Sequence, residues 1–577
     1  MEKEVMRKRI EVAAGRRSAD LVIRNAKIID VYNGEIIEGK DIAVVDGMIA
    51  SIGTYEGVEE IDAKGAYAAP GFIDSHIHIE SSYVTPEEMG RLVTPHGTTT
   101  IVADPHEIVN VAGLDGMQYM MEAAEHTKLD IKYMLPSCVP ATPFEHAGAI
   151  LAADDMKDVM KEESILGLGE FMNFPGVIQA ADSDLDKILA AVREGKLVDG
   201  HSPGVFDNDL NAYITAGIHT DHECSTVEEA RDRIARGMYV MLREGSACHN
   251  LVPLLKAVTE ANSRRFVFCS DDRQPKTILE LGHLDNHLRI CAKEGVDAIT
   301  AIRMASLNAA ECYGLTDRGA IAPGMRADIV LFDSLENYQV QEVFIKGEAV
   351  AKDGKYLFPV ERTNDSVVQG KFNVKDFSVD RLKLHLTSNE VKVIDILHGG
   401  VVTGKGTAQV TLDEDGDFVY DSRQDIVKIA VIERHHGTGN VGVALLRGYG
   451  IREGAVAISI AHDSHNIIVV GTNDEDMAFA VEKLIEQGGG IVLAKELKCI
   501  DAMPFVVGGI MTNQTGEWVS EHLSHIHDSA IKELGVHNEV EPVMTLCFMS
   551  LPVIPELKLT DMGLFDVTTF SFTSVEV

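Results

Sequence analysis

The chain has 577 residues, 45% of them hydrophobic and 25% charged, which at roughly 150 residues per domain predicts a globular protein of two to four domains. Its apolar runs stay short of the ~18 residues that a membrane span needs, and a formal charge of −38 disfavours nucleic acid, whose phosphates are bound by Lys and Arg. Because the negative charge disfavours nucleic acid, we expect a small-molecule substrate. The eight cysteines form no C-x-x-C pair, and the first residues, MEKEVMRKRI, lack an apolar signal core. We therefore expect a cytoplasmic protein with reduced thiols.

Two stretches have the texture of short β-strands and lie on either side of a long mixed segment. Residues 20–65 contain alternating apolar runs separated by Asn-Gly and Asp-Gly turn signals, and residues 319–352 show the same pattern. We expect one split β-sandwich, built from residues 1–66 and 317–363; two unrelated β modules are the alternative. Residues 364–577 are expected to form an additional α+β domain.

The middle segment, residues 67–316, alternates strand-like runs with helical patterns. This alternation favours a parallel sheet, and at this length it predicts a closed (β/α)8 barrel of the TIM type, giving an α/β fold class overall. The predicted strands are 68–73, 98–103, 131–135, 165–169, 197–199, 217–220, 239–242 and 266–269.

Residues with metal-binding or acid–base side chains follow six of these eight strands. In a barrel, functional groups gather at the carboxyl ends of the strands, so these residues would share one rim. Singly, each is more often a turn or helix-capping residue, but together they could hold one or two divalent ions and leave a position for water. They are His76 and His78, Asp104 and His106, Glu170, His201, His222 and Glu223, and Asp271 and Asp272.

The first of these runs, PGFIDSHIHIE at residues 70–80, resembles the first-strand motif of the amidohydrolase superfamily of metal-dependent hydrolases. Further runs are similar to the members that convert free adenine and water to hypoxanthine and ammonia, and the resemblance extends from about residue 20 to residue 577. They are TTTIVADPHEI, LGLGEFMNFPGV, VDGHSPG, HTDHE and CSDDR in the barrel, and REGAVAISIAHDSHNIIVVG and LPVIPELKLTDMGL in the tail.

The resemblance implies a binuclear metal site that activates water, with manganese as the expected pair and iron or zinc as alternatives. Glu170 stands where many superfamily members carry a carboxylated lysine, and a carboxylate can bridge two cations without modification. The implied metal ligands are His76, His78, Glu170, His201, His222 and Asp271.

Two acidic residues are predicted to move protons. Asp271 is the candidate for taking the proton from the attacking water, and Glu223 for protonating a ring nitrogen of the base. Glu223 could instead be a helix-opening acid next to Ser225, because acids are favoured at helix N-termini.

Other polar residues are candidates for contacts to the substrate or to the metal ligands. Asp104, His106 and Asp272 belong to this group. In the tail, His462 and His465 of the run HDSHN could reach the barrel mouth, bind another metal, or hydrogen-bond within a polar core. An apolar slot for a purine could come from residues 171–174, FMNF, although a packed loop is an equal alternative.

Two other functions remain open at this point. The same barrel and metals could hydrolyse a cyclic amide, such as a hydantoin or dihydropyrimidine ring, or the protein could bind metal without catalysis. A homodimer or a higher homo-oligomer is the default expectation for enzymes of this architecture.

Overall fold

The computed structural model describes residues 2–397 and 402–577. In the middle of the chain, eight strands lie in two parallel sheets, one of five strands and one of three. In chain order they are β1 (Phe72–Ile77), β2 (Thr98–Ala103), β3 (Asp130–Leu135), β4 (Ile165–Phe171), β5 (Leu197–Gly200), β6 (Thr220–Asp221), β7 (Tyr239–Arg243) and β8 (Phe266–Cys269).

The two sheets meet at both edges and so form one curled parallel sheet. Beyond the end of β8, Asp271 forms a parallel bridge with Ile77 of β1, and the N–H of His219 donates to the carbonyl of Val198 on β5. Strands β2 and β8 are buried along their whole length, as expected for a parallel sheet that is covered on both faces. All eight carboxyl ends therefore point to one side of the molecule.

Two strand predictions need correction. The predicted first strand, 68–73, is two strands, because Tyr67–Pro70 pairs in another sheet and β1 starts only at Phe72. Between them Gly71 passes so close to Thr99 that a Cβ would lie 2.1 Å from its hydroxyl oxygen. The sixth strand is shorter and later than 217–220, because Gly217 has a φ of +102° and belongs to the turn after a helix.

Helices connect the strands and cover the outside of the curled sheet. Those of the middle segment are Pro86–Val93, His106–Ala112, Leu114–Ala124, Ala153–Val159, Phe174–Ile178, Asp182–Arg193, Asp207–Thr215, Val227–Ala235, Leu251–Leu255, Pro275–Leu281, Leu284–Lys293, Ala298–Met304 and Leu307–Cys312, with short 3-10 helices at Ile79–Ser82, Thr94–His96 and Ser263–Arg265.

One antiparallel-rich sheet takes strands from both flanks of the middle segment. Its central pair of strands is Tyr67–Pro70 with Ile329–Phe332. A shared apolar core packs this sheet against a four-stranded sheet of the N-terminal flank, which helix Lys3–Ala13 contacts. The other strands of the first sheet are Lys27–Asp30, Glu35–Ile37, Val340–Ile345, Glu348–Lys352 and Lys355–Tyr356, and those of the second are Ala19–Arg24, Asp41–Val45, Met48–Gly53 and Gly57–Asp62.

The last third of the chain is built on an eight-stranded sheet. Its strands are Glu390–Ile396, Thr403–Gln409, Ile426–Ile432, Val441–Arg447, Ala455–Ile458, Ile467–Gly471, Gly490–Lys495 and Lys498–Pro504. Smaller elements accompany it: helices Val379–Leu382 (3-10), Asp474–Glu486, Gly516–Glu533 and Met544–Cys547, and strands Thr411–Leu412, Phe418–Val419, Leu557–Thr560, Gly563–Asp566 and Ser571–Phe572.

This C-terminal region packs directly on the rim formed by the strand ends. One continuous apolar core includes Ile108 and Leu135 of the middle segment together with Ile460 and Phe548 of the C-terminal region. The N–H of Thr512 also donates to the carbonyl of Tyr83, 2.8 Å away. The C-terminal region therefore covers the same rim to which the functional residues were predicted to belong. Within residues 2–397 and 402–577, no helix is both long and apolar enough to cross a bilayer.

Candidate active site

Four predicted residues meet at the centre of this rim. His76 lies within β1 and His78 just after it, so that as i and i+2 residues both rings point the same way. Their Nε2 atoms are 3.1 Å apart, and Nε2 of His78 lies 3.2 Å from both Oε1 of Glu170 and Oδ1 of Asp271. All four side chains are buried.

The second carboxylate oxygen of Glu170 faces a different pair of imidazoles. Oε2 lies 2.7 Å from Nδ1 of His201 and 3.2 Å from Nε2 of His222. Because Oε1 faces His78, the Glu170 side chain stands between two groups of donor atoms. This is the placement that a bridging carboxylate requires.

Backbone contacts fix the orientation of these donors. Nδ1 of His78 lies 2.9 Å from the carbonyl oxygen of Asp104, which can only accept, so Nδ1 carries a proton and Nε2 faces the centre. The Asp104 side chain in turn accepts from the N–H of Glu170 at 2.8 Å. Asp104 therefore contacts two of these residues, His78 after β1 and Glu170 on β4.

Arg243, at the carboxyl end of β7, was missed by the sequence analysis. Its Nη1 donates to Oδ2 of Asp271 at 2.7 Å and to Oε1 of Glu223 at 2.5 Å, and the side chain is largely buried. A charged residue that ends the apolar run YVMLR was the available signal. Arg243 joins the two acids that were predicted to move protons.

The two central carboxylates are ionised. Burial opposes ionisation of Glu170, but the imidazoles of His222, His201 and His78 outweigh it and hold its pKa well below the usual range. Burial likewise opposes ionisation of Asp271, and the Arg243 guanidinium together with the nearby imidazoles lowers its pKa. The site therefore holds two ionised carboxylates among its imidazoles.

The imidazoles respond to this charge in different ways. Burial and the neighbouring His222 ring lower the pKa of His76 to about 4, so this ring is neutral at pH 7. For His222, burial is outweighed by Glu170, which raises its pKa to about 9. Metal ions bind deprotonated ligands and would displace such a proton.

The donor set fits a pair of divalent ions. Among the described residues, three overlapping trios of the six have ligand atoms within 4.8 Å of one another, and His76, Glu170 and His222 each belong to two of them. Their nitrogen and oxygen donors include no thiolate, which suits manganese or iron and is also compatible with zinc. The trios are His76–His78–Glu170, His76–His222–Asp271 and Glu170–His201–His222.

Glu223 lies at the edge of this centre and is not a helix-opening acid. Its Oε1 is 3.4 Å from Nε2 of His222, and its side chain lines the cavity next to the donors. The following helix, Val227–Ala235, is capped by Thr226, whose hydroxyl accepts from the N–H of Glu229. The alternative interpretation of Glu223 is therefore wrong.

The remaining predicted residues lie in or beside the same cavity. Asp272 accepts a hydrogen bond from Ser81, and both His462 and His465 contact the buried carboxylate of Glu107, His462 through its Nδ1 at 2.6 Å. His462 lines the cavity, whereas His465 lines a smaller neighbouring one. The HDSHN run therefore reaches the rim of the parallel strands.

His106 connects the centre to the C-terminal region. Its Nδ1 lies 3.4 Å from Oε1 of Glu170, and its Nε2 lies 3.6 Å from Oδ1 of Asp463. Neither Glu107 nor Asp463 was singled out from the sequence, because their partners are more than 350 residues away along the chain.

The cavity next to the donors has a volume of about 200 Å³. From the predicted slot residues 171–174, only Met172 is among its lining residues; Phe171 and Asn173 line a larger groove instead. Most of the apolar wall comes from the C-terminal region: Phe548, Leu551, Val553 and Ile554.

Comparison with known proteins agrees with this geometry. Residues 67–350 match the amidohydrolase family, and the imidazoles and carboxylates at the rim all lie within this range. Residues 400–571 match the adenine deaminase C-terminal domain.

The relatives match over the full length. The chain is 62% identical to adenine deaminase 2 of Desulfotalea psychrophila and 54% identical to adenine deaminase of Ligilactobacillus salivarius, covering 100% of both chains in each case. The chain belongs to the adenine deaminase family. Among solved structures, an enamidase of the amidohydrolase superfamily is 19% identical, covering 59% of this chain and 98% of that one with a TM-score of 0.46.

Proposed function

We propose that this protein is an enzyme that hydrolyses adenine to hypoxanthine and ammonia. The full-length similarity to adenine deaminases supports this reaction over cyclic amide hydrolysis. The observation that carries the chemistry is the position of Glu170, whose two oxygens face two groups of imidazoles at the wall of a cavity.

We infer that the eight parallel strands form a closed (β/α)8 barrel. Residues 1–66 and 317–363 would then be the two parts of a sandwich around the barrel of residues 67–316, with residues 364–577 as a further domain. We also propose that the protein assembles as a homodimer or a higher homo-oligomer.

The metal ligands in this proposal are the six residues that meet at the rim. A divalent ion held there would lower the pKa of a bound water from about 15.7 towards 7 and so would supply a nucleophile at neutral pH. Manganese is the proposed ion, with iron and zinc as alternatives. The ligands are His76, His78, Glu170, His201, His222 and Asp271.

Asp271 is the proposed acceptor of the proton from the attacking water. Its Oδ2 is held by Arg243, while Oδ1 faces the histidines of β1, so the carboxylate is oriented and ionised before the reaction starts. A positioned acid–base group of this kind typically contributes 10²–10⁴-fold, roughly 3–5 kcal/mol of the barrier.

Glu223 is the proposed donor to the ring. Arg243 holds it close to Asp271, since both carboxylates accept from the same Nη1. Burial raises the pKa of Glu223, but Arg243 and the adjacent imidazoles outweigh burial and lower it, so the group is a carboxylate at rest. It must first take up the water proton that Asp271 accepts and pass it to a purine nitrogen as the water oxygen bonds to C6. The second water proton then goes to the amine, the C6–N bond breaks, and ammonia leaves as the C6 carbonyl forms.

The purine ring is proposed to lie between Met172 and the apolar wall of the C-terminal region. Phe548 stacks on His462 with centroids 4.3 Å apart, so both rings are held in place before substrate enters. A mostly apolar slot with a few directed polar groups is what a flat heterocycle requires.

An activity screen on manganese-supplemented full-length protein tests this function. We expect loss of adenine absorbance with one ammonia released per adenine, and no turnover of hydantoins or dihydropyrimidines. Turnover of the cyclic amides with no reaction of adenine would show a cyclic amide hydrolase instead. No turnover of adenine or of the cyclic amides would favour a protein that binds metal without catalysis.

A further inference from the structure

We propose that His106, Cys138 and Asp463 form a separate metal site, here called the clamp site, that takes a zinc ion. Their ligand atoms lie within 4.8 Å of one another, and each side chain is at least 95% buried. This site does not depend on the proposed reaction, and it shares no residue with the six proposed catalytic ligands.

The distances suit metal coordination better than direct hydrogen bonding. Nε2 of His106 and Oδ1 of Asp463 are 3.6 Å apart, which is too long for a hydrogen bond. Two ligands bound tetrahedrally at about 2.0–2.2 Å from zinc would be separated by roughly 3.4 Å. A small inward movement would complete such a geometry.

An unsatisfied buried oxygen points to a missing partner. Oδ2 of Asp463 has no hydrogen-bond partner among the described residues, although only 2% of the residue is exposed. Leaving a buried carboxylate oxygen unpaired is costly. The nearby Glu145 is also buried, and both of its carboxyl oxygens likewise lack a hydrogen-bond partner among the described residues. A cation would supply the missing partner.

The ligand-bearing backbone is held in place by other side chains. The Asn110 amide donates to the carbonyls of both His106 and Cys138, at 3.0 and 3.1 Å. The N–H of Asp463 donates to the Glu107 carboxylate at 2.9 Å. Supporting contacts of this kind orient metal ligands in proteins and favour a preformed site.

The location gives the site an entry path and a role. Cys138 lines the larger groove, whose volume is about 960 Å³, whereas His106 and Asp463 line the catalytic cavity, so the clamp site lies in the wall between them. Two ligands follow β2 and β3, and the third comes from the C-terminal region. A bound ion would fasten that region to the rim.

The ligand chemistry distinguishes this site from the catalytic centre. The clamp site offers a thiol, an imidazole and a carboxylate, a set that suits the borderline-soft zinc ion. Water or Glu145 would fill the fourth position. The catalytic donors contain no sulfur, so a metal–thiolate signal can separate the two sites.

Cobalt substitution of the full-length protein tests the clamp site. We expect three cobalt ions per chain and a near-ultraviolet thiolate-to-cobalt charge-transfer band. C138S should lose the band and one ion while keeping two ions, and H78A should keep the band. The control C248S changes a half-buried cysteine of the catalytic cavity and should keep the charge-transfer band and all three cobalt ions.

Several outcomes would overturn the clamp site. Wild-type protein with two ions and no band would reject it without any variant, which covers the case that C138S fails to fold. Loss of the band in C248S would assign the sulfur to the catalytic cavity. Retention of three ions by folded C138S would also reject it. Failure of adenine turnover alone would leave these readouts unchanged.

Discussion

Arg243 and Asp271 form a buried ion pair, with Nη1 of the guanidinium 2.7 Å from Oδ2 of the carboxylate. The same nitrogen binds Glu223, so one cation holds two acids of the cavity wall. Neither acid could remain ionised there without a positive partner, because burial disfavours their charged forms. The pair joins the end of the seventh strand, where Arg243 lies, to the end of the eighth, where the proposed proton acceptor Asp271 lies.

Removing this cation should move the pH dependence of the reaction. Arg243 lowers the pKa of Asp271 and Glu223, so the active carboxylates are lost only as the pH falls below these lowered values. In R243Q both pKa values rise, and the acidic limb of the kcat profile should shift upward by about one pH unit or more. The control R423Q changes an exposed arginine paired with Asp421 and should leave the profile unchanged. An unmoved acidic limb in R243Q would contradict the role of the pair.

Replacing the proposed proton acceptor should slow the chemical step. D271N keeps the size of the side chain but cannot accept the proton, and we expect kcat to fall by about 10²–10⁴-fold. Metal content must be measured with the rate, because Asp271 is also a proposed ligand. D272N, at the neighbouring acid, serves as the matched control and should lose less activity. Near-normal turnover by metal-replete D271N would reject the proposed role.

Shortening the apolar wall should weaken substrate binding. Stacking of a base on an aromatic ring is worth about 1–3 kcal/mol by alanine substitution, so F548A should raise KM for adenine by roughly 5- to 160-fold. The effect on kcat should be smaller, because Phe548 lies in the wall of the cavity and is not a metal donor. F570A, at an exposed phenylalanine, is the control and should leave KM unchanged. An unaltered KM in F548A would move the purine to another part of the cavity.

Chelation should abolish the activity reversibly. Removal of the ions takes away the source of the nucleophile, and readdition of manganese should restore turnover once more than one equivalent has bound per chain. Circular dichroism before and after chelation controls for unfolding. Full activity with a single bound ion would contradict the binuclear proposal.

The parallel strands were predictable where local patterns decide the structure. The run FVFC at 266–269 is apolar, short and flanked by polar residues, and the predicted bounds of β8 match the structure. The boundary at Pro70 and Gly71 was missed, because the apolar run continues across it. Its cause is the pairing of Tyr67–Pro70 with Ile329–Phe332, which no local pattern contains.

The site residues likewise fall into those that a local sequence pattern indicates and those that depend on long-range contacts. His76, His78 and Glu170 could be found because imidazoles and carboxylates directly after apolar strands are a recognisable signal. Arg243 and Cys138 follow the two strands for which no functional residue was predicted. An arginine at a strand end resembles a surface residue, and a lone cysteine in a loop resembles an ordinary thiol. Their roles depend on partners that only the fold brings close.

The placement of His462 and Phe548 over the rim has a consequence for biosynthesis. Translation must pass residue 332 before the flanking sheet can close and residue 548 before the cavity wall is complete. Because domains form as the ribosome releases them, the proposed metal ligands of the nascent chain meet before their cover exists. Catalytic competence is therefore a property of the finished polypeptide, and truncated translation products would lack it.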